Sequence, residues 1–406
     1  MDTASIASSN QTVEKPATRS SNLSKKCKLW LVWGIAIGLL FVGSLIGGLI
    51  YYYTQQANHA ANAQVPPDNG PSTDYTSNTT IPDNPNYVRS FWGIDYTPRG
   101  AQMDLGCSVT QNDVIEDLKI LYQLTPRIRL YGMDCNQANL VLNGMNALGI
   151  DMGVIMTIWV DGNSTTYQRQ YDEFWKTTQQ FGYDRLIGVS VGNEGKYFCP
   201  AVLTSIFRKQ TTVDDLVSKM EDVRKGLADA GQSHIPVYTT DINDLDQLLP
   251  HMDAILDNVH PFFGGTTAEL AANWTWKYFY EVDQYPVLKF AKTSGVQKPA
   301  VISEIGWPTY PVNETVKGAI PGIPQLQRFM DDYVCEANKR GIPYFWFEFK
   351  DEPWKQWMFN ETRESYWGLF DENGNLKNLT LPNCPMAPWT KGDLTFPQPA
   401  PLNTTN

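Results

Sequence analysis

Two glutamates, Glu194 and Glu304, stand at the ends of apolar runs in this sequence. The run Leu186–Val191 leads to Glu194 within three residues, and the run Ala300–Ser303 leads to Glu304 directly. An ionised side chain at the buried end of a strand needs a partner or a task. Two carboxylates that face each other can cleave a glycosidic bond, one as proton donor and the other as nucleophile. A single glutamate could equally begin a solvated loop, but the pair favours this chemistry.

Other polar and aromatic residues follow the remaining apolar runs. A pyranose face packs flat on an aromatic ring, and its hydroxyls need hydrogen-bond partners. We therefore predict substrate contacts from six residues near strand ends: Tyr96, Tyr131, Asp134, Asn193, Trp307 and Glu348. Aromatic residues at such positions are also common in cores, so about half of the rings near strand ends are expected to be structural.

These residues require a scaffold in which strand ends meet. Eight apolar runs are predicted as strands: Phe91–Tyr96, Arg127–Tyr131, Met152–Trp159, Leu186–Val191, Pro236–Thr240, Ile255–Val259, Ala300–Ser303 and Tyr344–Phe349. Helical periodicity is clearest in Thr110–Leu124, Val213–Ala230 and Ile323–Lys339. Runs that are apolar throughout are typical of strands covered on both faces. The α/β pattern predicts a (β/α)8 TIM barrel; the alternative is an open doubly wound sheet, although no G-x-G-x-x-G motif or P-loop occurs.

Five motifs in this order resemble glycoside hydrolase family 17, across roughly residues 87–389. V-G-N-E (191–194) and S-E-I-G-W-P (303–308) resemble its two catalytic signatures. R-L-Y-G-M-D-C (129–135), N-V-H-P-F-F (258–263) and F-E-F-K-D-E-P-W-K (347–355) resemble its fungal branch. The resemblance implies a barrel that acts with retention on β-1,3-glucan, with Glu194 as acid/base, Glu304 as nucleophile and Asn193 on the sugar 2-hydroxyl. Ile305 departs from the small residue or Thr that is frequent there.

The leading hypothesis is therefore an endo-acting β-1,3-glucan hydrolase of the cell wall. A glucanosyltransferase with the same residues is an alternative, and so is a catalytically silent glucan-binding protein. A Schiff-base lyase would need a buried Lys, for which Lys350 is the candidate. In the hydrolase, Glu194 must be protonated and Glu304 charged, and we expect Tyr131 to donate a hydrogen bond to Glu304.

Composition excludes several other functions. The net charge is −11, from 43 acidic and 32 basic residues, and an acidic body repels nucleic acid. Only 4 His and 6 Cys occur, without H-E-x-x-H or C-x-x-C spacing. We therefore predict no metal site of a familiar pattern and no cofactor.

The segment 29–53 contains no charged residue and predicts a membrane helix. As a helix it would reach about 37 Å, enough to cross a hydrocarbon core of about 30 Å. Lys25, Lys26 and Lys28 precede the segment, and no Lys or Arg follows it before Arg89. The positive-inside rule then predicts a cytoplasmic tail (1–28) and a single-pass type II protein in the cell membrane, with its catalytic domain outside, facing the cell wall.

The remaining chain divides by composition. Residues 54–87 are rich in Gln, Asn, Ser, Thr and Pro and predict a flexible stem, 88–389 the barrel, and 390–406 a disordered tail. Sequons predict glycosylation outside the cell, at Asn78, Asn163, Asn273, Asn313, Asn360, Asn378 and Asn403. An odd number of Cys lies on that side, which allows at most two intrachain disulfides and leaves their pairing open: Cys107, Cys135, Cys199, Cys335 and Cys384.

Overall fold

The computed structural model describes residues 75–194, 211–242, 247–359 and 362–384. These residues contain a closed parallel barrel, in which each strand pairs with the next along the chain and the last pairs with the first. The strands are β1 (Gly93–Asp95), β2 (Arg127–Arg129), β3 (Gly153–Ile158), β4 (Leu186–Asn193), β5 (Val237–Asp241), β6 (Ile255–Asn258), β7 (Ala300–Ile305) and β8 (Tyr344–Trp346). The barrel is confirmed, and the open doubly wound sheet is excluded.

All predicted strands are present, and they differ from the prediction mainly at their ends. β4 continues to Asn193 and β7 continues to Ile305, so Glu304 lies inside its strand rather than after it. Every strand residue except Asn193 is buried. Burial on both faces explains why these runs are apolar throughout rather than alternating.

Helices cover the outside of the barrel. They are α1 (Gln111–Leu124), α2 (Gln137–Leu148), α3 (Ser164–Phe181), α4 (Val213–Asp229), α5 (Ala268–Tyr278), α6 (Tyr285–Ser294), α7 (Ile323–Arg340) and α8 (Trp354–Phe359), with a π-helical turn at Phe279–Gln284 between α5 and α6. Thr110 and Asp113 form a capping box at the start of α1. α7 ends at Gly341, whose φ of 68° is the left-handed conformation that favours glycine. The three predicted helices are thus confirmed to within a residue at each end.

Residues 75–87 pack along α1, although the sequence predicts a flexible stem as far as residue 87. The backbone N–H groups of Thr76 and Ser77 donate to Asn112 Oδ1 at 3.0 and 3.2 Å. Further along, the N–H of Asn84 donates to Gln123 Oε1 at 3.2 Å. These bonds from the backbone to side chains at both ends of α1 place residues 75–87, the last part of the predicted stem, against the helical layer. Residues 54–74 lie outside the described part, and the flexibility of the stem stays a prediction.

Two disulfides occur in the described residues. Cys107–Cys135 joins the loops after β1 and β2, and Cys335–Cys384 joins α7 to the C-terminal segment. Cys199 lies outside the described residues. Across the described ranges, no helix is long and apolar enough to cross a membrane. The predicted span 29–53 and the tails 1–28 and 390–406 lie beyond those ranges.

Candidate active site

Glu304 lies near the carboxyl end of β7 and is only 4% exposed. Its Oε1 accepts hydrogen bonds from Arg129 Nη1 at 3.0 Å and from the Tyr131 hydroxyl at 2.8 Å. Its Oε2 lies 3.0 Å from His260 Nε2. An ionised carboxylate can only accept, so His260 must carry its hydrogen on Nε2. The predicted hydrogen bond from Tyr131 is confirmed, and Glu304 has donors on both oxygens.

These donors decide the charge of Glu304. Burial alone would raise the pKa of Glu304, but the His260 hydrogen bond and the Arg129 guanidinium outweigh it and lower the pKa to about 2. Burial and the carboxylates nearby raise the pKa of Tyr131, so its hydroxyl keeps the proton that it donates. Glu304 therefore remains ionised below the pH at which an ordinary glutamate takes up a proton.

Arg129 connects the strands around Glu304. It is fully buried on β2, and its Nη1 also lies 3.3 Å from Asp95 Oδ1 on β1. Its Nη2 donates to Asn193 Oδ1 at 2.8 Å and to Thr240 Oγ1 at 2.9 Å. Burial raises the pKa of Asp95 well above its ordinary range, and the charge of Glu304 adds to this effect. Because burial favours the protonated form of Asp95, Asp95 competes less with Glu304 for the positive charge of Arg129.

The end of β4 has an irregular backbone that presents Glu194. The pairing of β4 with β5 shifts register between Ser190 and Asn193. Gly192 has φ 84° and Glu194 has φ 53°, both in the left-handed region, and the Glu194 N–H donates to Thr240 O at 2.7 Å. Such irregularities next to active sites redirect a side chain. A left-handed residue that is not glycine is also strained and persists only where its surroundings hold it.

Asn258, the last residue of β6, connects the two glutamate-bearing strands. Its Nδ2 donates to Asn193 Oδ1 and to Glu194 Oε1, each at 3.1 Å. Its Oδ1 accepts from Ser303 Oγ at 2.7 Å, one residue before Glu304. Asn193 Oδ1 therefore receives several donors, which leaves the amide nitrogen of Asn193 as the group it can offer to a ligand.

A second buried glutamate, Glu348, lies two residues after the end of β8. It is 2% exposed, and its Oε1 lies 3.7 Å from Lys355 Nζ. Lys355 makes a closer ion pair with Glu352. The single ammonium of Lys355 can neutralise only one of the two carboxylates, Glu348 or Glu352. Burial and the charge of Glu352 therefore raise the pKa of Glu348 well above its ordinary range. Glu348 is therefore neutral where Glu304 is charged, and its contact with substrate stays a prediction.

Two predicted substrate residues are too buried to touch a sugar. Tyr96 is fully buried, and its hydroxyl donates to Asp117 on α1 at 3.0 Å. Trp307 is also fully buried, and its Nε1 donates to Ile320 O at 2.9 Å. Both predictions are wrong, because these rings pack into the protein rather than into the mouth of the barrel.

Asp134 and Lys350, two further candidates from the sequence, form ion pairs with other residues. Asp134 makes a two-pronged ion pair with Arg169, at 2.7 and 2.9 Å, and its contact with substrate stays a prediction. Lys350 Nζ is ion-paired with Asp117, the acceptor of Tyr96 on the helical layer. This pairing removes the support for a Schiff-base lyase, which needs an unpaired amine.

Sequence reasoning assigned no role to Arg129, Asn258 or His260, although these residues hold the site together. The position of Arg129 inside a predicted buried strand could have indicated a role, because a buried charge needs a partner. Its partner Glu304 is 175 residues away in the chain, a distance that no local pattern spans. His260 and Asn258 stand at the end of an apolar run, where they resembled ordinary loop residues.

Fold and site together define a TIM barrel with two glutamates at the carboxyl ends of β4 and β7, which Asn258 links through hydrogen bonds. The sequence profile of the BtgE/BtgC glycoside hydrolase domain matches residues 93–368, and the chain belongs to this family. It is similar to the probable glucan endo-1,3-beta-glucosidase btgC of Aspergillus fumigatus, with 38% identity over 320 residues, covering 74% of this chain and 44% of that protein. The glucan endo-1,3-beta-glucosidase btgC of Emericella nidulans is 35% identical over 314 residues, covering 72% and 46%.

The chain thus spans about half the length of the curated relatives it matches. Among solved structures, the glycoside hydrolase family 17 beta-1,3-glucanosyltransferase of Rhizomucor miehei has a TM-score of 0.57 at 22% identity, covering 72% of this chain and 97% of that one. An endo-laminarinase from Formosa has a TM-score of 0.57 at 17% identity, covering 79% and 98%. At such identities these structures support the barrel fold alone.

Proposed function

We propose that this protein is a retaining glycoside hydrolase that cleaves β-1,3-glucan within the chain. The observation that carries the proposal is the set of donors on Glu304, because Arg129, Tyr131 and His260 keep this carboxylate charged in a buried site. Burial of a charged carboxylate costs free energy, which these three donors offset. The carboxylate that they keep ionised can attack an anomeric carbon. The names of the btgC relatives supply the substrate class.

In the first step, Glu304 attacks the anomeric carbon while Glu194 gives its proton to the departing glycosidic oxygen. The C–O bond breaks, one glucan fragment leaves, and the other remains as an ester on Glu304. Glu194 is half-buried, and one of its contacts is the neutral amide of Asn258. Glu194 directly follows β4 and is linked through Asn258 to the residue before Glu304, a position that supports its role as the proton donor.

In the second step, Glu194 acts as base and activates the acceptor that releases the ester. Water as acceptor gives hydrolysis, and a sugar hydroxyl gives glucanosyl transfer. The Asn193 amide nitrogen is positioned to hold the 2-hydroxyl of the sugar under attack, since Arg129 and Thr240 occupy its oxygen. Both catalytic carboxylates are present, which weighs against a silent glucan-binding protein.

Glucanosyl transfer is the second candidate outcome, because a sugar hydroxyl can take the place of water as the acceptor in the second step. The residues described above serve both outcomes equally. We also propose that the charge-free segment 29–53 anchors the enzyme in the cell membrane, with the barrel facing wall glucan. A tethered enzyme would meet concentrated glucan ends, which favours a sugar acceptor over water.

The test is the product profile of the purified full chain on laminari-oligosaccharides labelled at the reducing end. We expect internal cleavage, with the first products retaining the β configuration. At millimolar substrate, some products longer than the starting chain are also expected. An α-configured first product would contradict the assignment of Glu304, and the absence of longer products would exclude transfer.

A further inference from the structure

Exposed aromatic rings gather in the loops that follow β6, β7 and β8. Tyr310 follows β7 and is 51% exposed, and its ring meets the half-buried ring of Tyr366 edge-to-face at 5.1 Å. Phe263 follows β6 and is 38% exposed. Phe263 reaches this pair through Trp367, whose ring is 5.5 Å from that of Phe263 and which is the chain neighbour of Tyr366. Contiguous exposed rings of this kind can form a ligand-binding surface. We call Phe263, Tyr310 and Tyr366 the aromatic rim.

The aromatic rim is continuous with the active site. His260 lies 3.0 Å from Glu304 Oε2, and its ring is 5.8 Å from that of Phe263. His260 also packs on Trp367 at 4.9 Å, and Trp367 is the neighbour of Tyr366 in the chain. Trp367 itself is fully buried, whereas its neighbour Tyr366 is only half-buried and keeps a surface that a ligand can reach. The rim therefore begins one packed residue away from the glutamate that attacks the substrate.

Hydrogen bonds hold the rim in one conformation. The backbone N–H and the hydroxyl of Thr309 both donate to Tyr366 O, at 2.9 and 3.0 Å. Lys377 Nζ donates to the Thr309 hydroxyl at 2.8 Å and pairs with Asp351 at 2.6 Å. The loops after β7 and β8 are thereby joined beside the exposed rings. Rings presented without reorganisation bind at a lower entropy cost.

We propose that Phe263, Tyr310 and Tyr366 bind sugar rings of the same β-1,3-glucan chain beyond the bond that is cleaved, and thereby set the preferred chain length. This inference rests on the proposed function. A pyranose presents C–H groups on its faces, which pack on aromatic rings, and hydroxyls at its edge, which the two tyrosines can bind. The continuity of the rim with His260 favours a longer substrate over a protein partner as its occupant.

The test compares Tyr310→Ala and Tyr366→Ala with the wild-type full chain on laminari-oligosaccharides of increasing length. We expect kcat/KM for the longest chains to fall about threefold to tenfold for each variant, as expected for the loss of one aromatic contact. The shortest chain that is cleaved should be unaffected. Tyr310→Phe keeps the ring and should retain most of the preference for long chains.

The matched control is Tyr285→Ala, because Tyr285 is 56% exposed but lies on α6 in the outer helical layer. It should change neither activity nor chain-length preference. Equal losses on short and long chains, or no loss on either, would overturn the proposal for the rim. Wild type that cleaves no β-1,3-glucan would instead contradict the proposed function. In that case the affinity for laminari-oligosaccharides would be measured for Glu304→Gln and for Glu304→Gln combined with Tyr310→Ala. Equal affinities of the two variants would overturn the proposal for the aromatic rim.

Discussion

Glu304 at the end of β7 and Glu348 after β8 are two buried glutamates on neighbouring strands, with 4% and 2% exposure. Their ionisation is opposite. The pKa of Glu304 falls to about 2, despite its burial, because His260 and Arg129 contact it. The pKa of Glu348 rises well above its ordinary value, because burial and the charge of Glu352 are not offset by Lys355 at 3.7 Å.

The comparison shows that burial alone does not decide whether a carboxylate is charged. Glu304 has three donors on its two oxygens, whereas Glu348 shares a single ammonium with a closer competitor. An ionised carboxylate that can act as a nucleophile and a neutral carboxyl group that can donate a hydrogen bond can therefore lie close to one another. Four substitutions test this contrast between the two glutamates.

Glu304→Gln removes the charge and should have the largest effect. We expect kcat on laminari-oligosaccharides to fall by at least about 10³-fold, because an amide cannot form the ester intermediate. The variant should remain folded, as measured by circular dichroism, since Gln can still accept from Arg129 and Tyr131. Activity within tenfold of wild type would show that another group is the nucleophile.

Glu194→Gln removes the proton donor and should lower kcat by about 10²- to 10⁴-fold. Substrates with a leaving group that needs no protonation, such as a dinitrophenyl glucoside, should lose much less in the first step. Measuring both substrates separates proton donation from misfolding, which would reduce both rates alike.

Tyr131→Phe removes one donor from Glu304 and leaves the other two. We expect kcat/KM to fall by about tenfold, the value of one hydrogen bond to a charged group. The pKa of Glu304 should rise from about 2 toward its ordinary 4.5, so the acid limb of the pH profile should move to higher pH. Tyr96→Phe is the control, because Tyr96 is a buried tyrosine bonded to Asp117 outside the site.

Glu348→Gln should have the smallest effect, because Gln resembles the protonated form that Glu348 already adopts. At acidic pH we expect kcat within about twofold of wild type, since no charge is lost. The raised folded-state pKa also makes a stability prediction. The contribution of Glu348 to stability is fully present below its ordinary pKa and is lost as pH rises through the folded-state pKa. The variant should therefore lose less unfolding free energy than wild type as pH rises, in urea titrations.

Much of the fold could be predicted from the sequence because strands buried on both faces are apolar throughout. The ends of the strands were harder to predict, and they decide which side chains face the mouth. Tyr96 follows Asp95, and successive strand side chains point to opposite faces. Asp95 thus meets Arg129 inside the barrel, while Tyr96 meets Asp117 on α1. The predicted strand Phe91–Tyr96 contained both residues, but only the folded chain shows that Asp95 faces the barrel interior and Tyr96 faces the helices.

Of the residues that form the candidate site, the two carboxylates, Asn193 and the donor Tyr131 could be predicted from the sequence. The electrostatic partners of Glu304 come from β2 and from the residues after β6, and register shifts at the ends of β4, β6 and β7 bring these groups together. Such shifts leave no local signal in the sequence. The pKa difference between Glu304 and Glu348 likewise depends on contacts that only the folded chain creates.

The most direct test of the account is to trap the covalent intermediate. The full chain would be incubated with a 2-deoxy-2-fluoro laminaribiosyl substrate carrying a good leaving group, digested with protease and examined by mass spectrometry. The account predicts a single glycosyl adduct on the peptide that contains Glu304, absent in Glu304→Gln and present in Glu348→Gln. An adduct on any other residue, or turnover of the substrate with inversion and no adduct, would contradict it.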